Sequence, residues 1–161
     1  MILISLYEAN DVVVQFDENS KIFKFSWNSN VSLESIKQLT QNVLKHLTKI
    51  ELGYFLFDRR FLTSFTPEAV EWLKSDFLKK EEKQLLRKIH RVATIDSAEI
   101  SKSKKPKLII SKMLSKSNSK MKMKFFTTER AAIQWILQEE EIKELTFWEY
   151  LVLVFSMKKQ F

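Results

Sequence analysis

Residues 54–78 read YFLFDRRFLTSFTPEAVEWLKSDFL, and the junction inside this stretch decides the fold class. Tyr54–Phe57 is a nearly continuous apolar run, as a central strand covered on both faces requires, and Asp58 is expected to end it. Thr66 then precedes Pro67 in the manner of a helix N-cap. The proline takes the first helical position, where its missing N–H costs nothing, and Glu68 and Glu71 fall near the positive end of the helix dipole. Val70, Leu73 and Phe77 form the expected inward stripe, with Trp72 on its shoulder, and the helix is predicted to run to about Lys83. A buried strand handing over to a capped helix is the building unit of an α/β fold.

The pattern extends in both directions. On the N-terminal side, Gly53 is the expected turn before the strand. Ser32 caps a helix whose stripe is Leu33, Ile36, Leu39, Val43, Leu44 and Leu47. His46 near its end reads as a surface or boundary residue, because a helix C-terminus favours a cation. Further back, Met1–Tyr7, Val12–Phe16 and Lys21–Trp27 alternate as strands, separated by the turn residues Asn10-Asp11 and Asp17–Ser20. In the last of them Phe23, Phe25 and Trp27 face one way, and Lys24 and Ser26 the other. On the C-terminal side, Lys88–Ile95 alternates Ile89, Arg91, Ala93 and Ile95 against His90, Val92 and Thr94, which puts His90 on the Val92 face as a core or boundary histidine. Pro106–Leu114 suits a short amphipathic helix. Met121–Phe126 reads as a strand whose alternate lysines discourage edge-to-edge pairing. Thr127 or Thr128 caps a last helix, with Ala131, Ala132, Trp135 and Ile136 inward. The order β-β-β-α-β-α-β-α-β-α describes a mixed sheet, an antiparallel meander followed by βα units, with helices packed on it.

Composition removes several function classes. A chain of 161 residues is long enough to bury roughly 70% of its unfolded surface. It has no cysteine, which excludes disulfides, thiolate metal sites and a cysteine nucleophile. Its one glycine cannot supply a GxGxxG loop or a Walker-type phosphate cradle. His46 and His90 are far apart and lack metal-ligand spacing, so no metal and no cofactor is expected. The net charge of +7 comes from nine lysines, with no acid, between Lys102 and Lys124. That segment contains no arginine, and its aromatic neighbours Phe125 and Phe126 come only at its end, whereas single-strand platforms interleave aromatics with cations. It reads as a solvated face, and nucleic acid is not an expected partner. Met1–Tyr7 is too short for a secretory h-region, so the expectation is a soluble, cytoplasmic protein.

Three patches carry a family likeness. From Tyr54 to Leu78, a strand ending in Asp-x-Arg, a capped Ser/Thr-x-Glu and Trp-Leu a turn later correspond to Asp58, Arg60, Thr66, Glu68, Trp72 and Leu73. Lys21–Ser32 supplies a strand ending in Trp before a capped helix, and Phe125–Leu137 is similar to an ending of the form Phe-x-x-x-x-x-Ala-x-x-Trp-Leu. In this the chain resembles the STAS superfamily, and within it the bacterial SpoIIAA-like proteins that share a fold with anti-sigma-factor antagonists. The resemblance covers Tyr7 to about Gln138, so residues 1–138 are expected to form the STAS-like domain. It implies a non-enzymatic regulatory or protein-interaction module.

In partner-switching relatives a phosphorylated serine or threonine opens the second helix. The corresponding positions here are Thr66, Pro67 and Glu68, so the switch serine is missing and a carboxylate stands beside its place. Thr66 is expected to be committed to capping. Asp58 and Arg60 have no nucleophile, second carboxylate or histidine nearby in sequence, and no catalytic residue is assigned. The candidate interaction or ligand surface is Asp58, Arg59, Arg60, Thr66, Glu68 and Trp72. The alternative reading is a small apolar-ligand or lipid carrier, since related domains use such a sheet and the chain is rich in Phe and Met.

Residues 139–161 form an apolar extension. Glu139–Glu144 leads into Leu145–Met157, thirteen residues where a bilayer crossing takes about 20. Such a surface must be covered. Phe147, Trp148, Leu151, Leu153 and Phe155 are the candidate homodimer interface, with packing back onto the sheet as the other solution. The acidic flank makes peripheral lipid contact the weaker option.

Overall fold

The computed structural model describes residues 1–75, 80–97 and 120–138. Strands β1 (Leu3–Glu8), β2 (Val12–Asp17) and β3 (Ile22–Val31) form the N-terminal meander. Helix α1 (Leu33–Leu47), β4 (Gly53–Phe65), α2 (Pro67–Lys74), α3 (Lys80–Leu85) and a 3-10 turn (Leu86–Lys88) follow. Then come β5 (Ile89–Ile95), β6 (Lys122–Phe126) and α4 (Glu129–Leu137). The sheet has six strands in the order β1-β2-β3-β4-β5-β6. The β1–β2 and β2–β3 pairings are antiparallel, and β3 to β6 run parallel.

Strand alternation sorts the apolar side chains into two layers. On one face, Val14, Phe16, Phe23, Phe25, Trp27, Phe55, Phe57 and Val92 pack beneath α1 and α2, which contribute Ile36, Leu39, Val43, Leu47, Ala69 and Leu73. Phe25 is the hub of the aromatic packing, with ring centroids 4.8 Å from Phe57, 5.1 Å from Phe55 and 6.0 Å from Trp27. The other face is smaller: Ile22, Leu56, Ala93 and Ile95 meet Ala132 and Ile136 of α4. Helix α4 thus covers the parallel half of the sheet, and the same face of β2 and β3 presents Gln15, Lys24 and Ser26, all partly exposed.

Polar side chains tie off the helix ends. Ser32, Thr66 and Thr128 cap α1, α2 and α4. Lys88 Nζ donates to the carbonyls of Leu47 and Ile50 at 2.8 and 2.7 Å, closing the exit of α1. Buried Arg91 does the same for α4: its Nη1 donates to the carbonyls of Trp135 at 2.8 Å, Ile136 at 3.0 Å and Gln138, where a cation also complements the helix dipole.

The structure departs from the sequence reading in four places. First, β4 does not end at Asp58, and β3 does not end at Trp27. The two continue as a paired arm to Phe65 and Val31, with register shifts between Ser26 and Asn28 and between Ser29 and Asn30. Ser29 takes φ 44° there, so Asn28-Ser29-Asn30, which has turn composition, forms bulged strand. Second, α2 ends at Lys74, with Ser75 as its C-cap; Phe77 lies outside the described residues. Third, His90 is exposed. Gly53 pairs with Ile89 but Tyr54 with Arg91, so His90 is the extra residue of a bulge, and Ile89 moves to the α1 face with Val92. Fourth, Gly53 has no positive φ. Its lack of a Cβ admits close packing instead, since a Cβ would lie 3.1 Å from Ile50 Cδ1 and from Ile89 Cδ1. The predicted helix at Pro106–Leu114 and the apolar extension 139–161 lie outside the described residues.

Candidate functional site

The six residues singled out from sequence are divided between two faces of β4 and the start of α2. Asp58 faces α4. Its carboxylate accepts from Arg60 at three points: the backbone N–H at 3.2 Å, Nε at 2.9 Å and Nη2 at 2.6 Å. Burial pushes this carboxyl up, but the Arg60 hydrogen bonds and the nearby charges of Arg60 and Lys24 outweigh it and hold Asp58 below the usual carboxylate range. The bond to Asp58 in turn raises Arg60 above its ordinary value. Arg60 Nη2 also lies 3.9 Å from Glu129 in the first turn of α4, and Glu129 accepts from Lys24 Nζ at 2.7 Å. The group is a self-neutralising network that seats α4 on the sheet.

Arg59 points to the opposite face. It forms a bidentate pair with Asp96, Nε to Oδ1 at 2.9 Å and Nη2 to Oδ1 and Oδ2 at 2.6 and 2.8 Å, with side chains only 7% and 5% exposed. Burial lowers the guanidinium pKa, and the Asp96 charge and hydrogen bonds oppose that shift. Asp96 has no signature in the sequence, because it lies 37 residues from Arg59 and no local pattern couples them. The same holds for Glu129, while Asp11, a turn residue by sequence, reaches partners 21 and 24 residues away. Asp11 accepts from Ser35 Oγ at 2.6 Å and Ser32 N–H at 2.9 Å, so that it braces the start of α1.

Thr66 and the α2 surface form the third group. Thr66 has extended backbone, φ −60° and ψ 152°, its N–H donates to Val31 O at 2.9 Å, and its Oγ1 accepts from Ala69 N–H at 3.3 Å. Its hydroxyl is therefore engaged as a cap, and Val31 fixes the approach of the chain. Outside this cap, Pro67, Glu68, Glu71, Trp72 and Ser75 line an open groove of about 510 Å³. Glu68, Glu71 and Ser75 are exposed, while Trp72 is half-buried and packs against the α1-side core. The groove presents an indole and a proline ring between carboxylates.

Among solved structures, the chain is similar to an uncharacterized protein of the DUF3478 family with a SpoIIAA-like fold from Shewanella loihica PV-4. The TM-score is 0.54 at 18% identity, over 81% of this chain and 98% of that one. The chain has a SpoIIAA-like fold. No protein-family model matches it, and no curated protein does. Within this SpoIIAA-like fold, the α2 groove lies directly after the strand-to-helix junction, and its lining includes two of the residues expected from sequence, Glu68 and Trp72. Asp58 and Arg60 are turned toward α4 instead. Among the described residues, no group of three or more His, Asp or Glu side chains converges as a metal site would, and no helix is long and apolar enough to cross a membrane.

Proposed function

We propose that this chain is a non-enzymatic, cytoplasmic protein-interaction module of the STAS-like type, with the outward face of α2 as its docking surface. The observation that carries this reading is the groove of Pro67, Glu68, Glu71, Trp72 and Ser75 beside a fully capped Thr66. An aromatic floor with a polar rim is the composition of a protein-binding patch. The resemblance puts the regulated contact of partner-switching proteins at this helix start. Here the acceptor position holds a structural cap, so docking is constitutive and lacks the switch serine.

The test is affinity capture from lysate with wild type, with Glu68→Lys/Glu71→Lys, and with Lys122→Glu on the far edge of the sheet. The reading requires a protein held by wild type and by Lys122→Glu but lost from the α2 variant. A captured set that does not differ among the three would sink it. A lipid carried through native mass spectrometry would overturn it in favour of the carrier reading. The apolar extension also needs cover, from a second copy, as the dimer expectation has it, or from the chain's own sheet, and light scattering of the full chain separates these.

A further inference from the structure

We infer that the α2 groove takes a basic segment of a partner protein, with an arginine of that segment against the Trp72 indole between Glu68 and Glu71. This rests on the α2 reading above and gives the partner its chemistry.

The helix sets the geometry. Glu68, Glu71 and Trp72, with Ser75 at the C-cap, are spaced i, i+3, i+4 and i+7, so their side chains share one stripe along the helix. Ala69 and Leu73 fall on the other side and are buried. The one cation of α2, Lys74, stands roughly 110° around the axis from the stripe at 3.6 residues per turn. The stripe therefore carries two carboxylates and an indole, with no positive charge of its own.

Charge selects the occupant. Other carboxylates around this part of the fold are engaged: Asp58 by Arg60, Asp96 by Arg59 and Glu129 by Lys24. Glu68 and Glu71 are exposed, and neither pairs with a cation among the described residues. Glu68 has a second use, since it lies in the first turn and complements the helix dipole there. Glu71 stands beyond that turn, where the effect has faded. A phosphate or an acidic peptide would be repelled by both carboxylates, and a purely apolar segment would desolvate them without a partner.

Arginine suits the rest of the lining. Its planar guanidinium stacks on an indole and donates in a fork to a carboxylate, and its methylene stem lies along apolar surface such as the Pro67 ring. The groove is open and about 510 Å³ in volume, which admits a side chain presented from the surface of another protein.

The test selects a random peptide library, displayed on phage, against the full chain at low salt, and measures the Kd of the enriched peptides by fluorescence anisotropy. The chain carries a net charge of +7, so a basic peptide gains nothing from the protein's overall field and its binding reports a local site. The expected result is a recurring arginine, in peptides whose Kd rises about tenfold against Glu68→Gln/Glu71→Gln, the size that two exposed charge contacts allow. Both side chains are exposed, so this variant keeps the fold. Peptides remade with glutamate in place of the arginine should prefer Glu68→Lys/Glu71→Lys to wild type. Enriched peptides that depend on α2 but carry no basic residue would overturn the proposal and leave the α2 docking reading standing. No enriched peptide, or peptides indifferent to the α2 substitutions, would overturn both. A wild-type oligomer in light scattering that Glu68→Gln/Glu71→Gln disperses would place a second copy in the groove and overturn the partner named here.

Discussion

Asp96→Ala should be among the most damaging single substitutions in the domain. Its carboxylate is the counter-charge of Arg59, held by three hydrogen bonds of 2.6 to 2.9 Å between side chains 7% and 5% exposed. Removing the carboxylate leaves a guanidinium buried between β4 and β5, and breaking a buried pair in this way costs about 3–5 kcal/mol. For a domain with a total stability of about 5–15 kcal/mol, that is a large share, and it lowers Tm by roughly 6–20 °C. The molecule carries its own control. Lys24 and Glu129 approach equally closely, at 2.7 Å, but are 17% and 33% exposed, so Glu129→Ala should cost about 0–1 kcal/mol. Replacing both buried partners, as in Arg59→Met/Asp96→Leu, removes the uncompensated charge and should recover much of the loss. Urea titrations of the four proteins decide the matter. If Asp96→Ala cost no more than Glu129→Ala, or if the double substitution cost at least as much as Asp96→Ala, the argument from desolvation would be refuted.

Other expectations follow from the same contacts. Thr66→Ala should lose about 1 kcal/mol in denaturant unfolding, whereas Thr66→Ser should keep most of the cap; intact mass of protein from its native host should show no phosphate on Thr66, and a phosphorylated fraction would contradict the capping assignment. Burial beside Phe16, against Lys49 and Lys21, holds His46 below the usual imidazole range. Its unfolded form therefore takes the proton first, and the stability it contributes is complete above about pH 6.5 and lost as pH falls below that. The urea midpoint should begin to drop there in wild type and stay level to lower pH in His46→Leu. Asp11, Asp17 and Asp58 are likewise depressed, so both proteins should weaken steeply once pH falls below about 4; a midpoint flat from pH 7 to 3 would show that these carboxylates have no special partners in the fold.

How far the fold can be read from the residues depends on how much of each element is covered. β2, the first half of β3, α1 and α4 each have one face against a core and one toward water, so their apolar periods of two and 3.6 are complete. Ser32, Thr66 and Thr128 mark helix starts because capping is a local bond between residues three apart. The arm of Asn28–Val31 against Phe61–Phe65 is different. β5 ends at Ile95, opposite Asp58, so beyond that point β4 pairs with β3 alone, both faces are wetter, and Phe61 is 70% exposed. Alternation is no longer enforced there, and strand sequence looks like turn. The bulge at His90 has the same character: a single inserted residue shifts Ile89 to the other face while the letters still alternate.

The candidate site was legible to the extent that its bonds are local. Asp58 and Arg60 are two residues apart, and Thr66, Glu68 and Trp72 belong to one helix start, so each could be singled out by spacing. What spacing could not supply is the direction of the side chains. Consecutive strand residues point to opposite faces, so Asp58, Arg59 and Arg60, contiguous in sequence, serve two different layers. One pair neutralises the seat of α4, and one joins β4 to β5 under the larger core. A cluster of charges that looks like chemistry in one dimension is partitioned by the pleat into two neutral structural contacts. That partition is also what leaves α2 as the candidate surface: with Asp58, Arg59 and Arg60 engaged by Glu129 and Asp96 as well as by each other, Glu68 and Glu71 beside Trp72 are carboxylates of the original stretch that stay exposed.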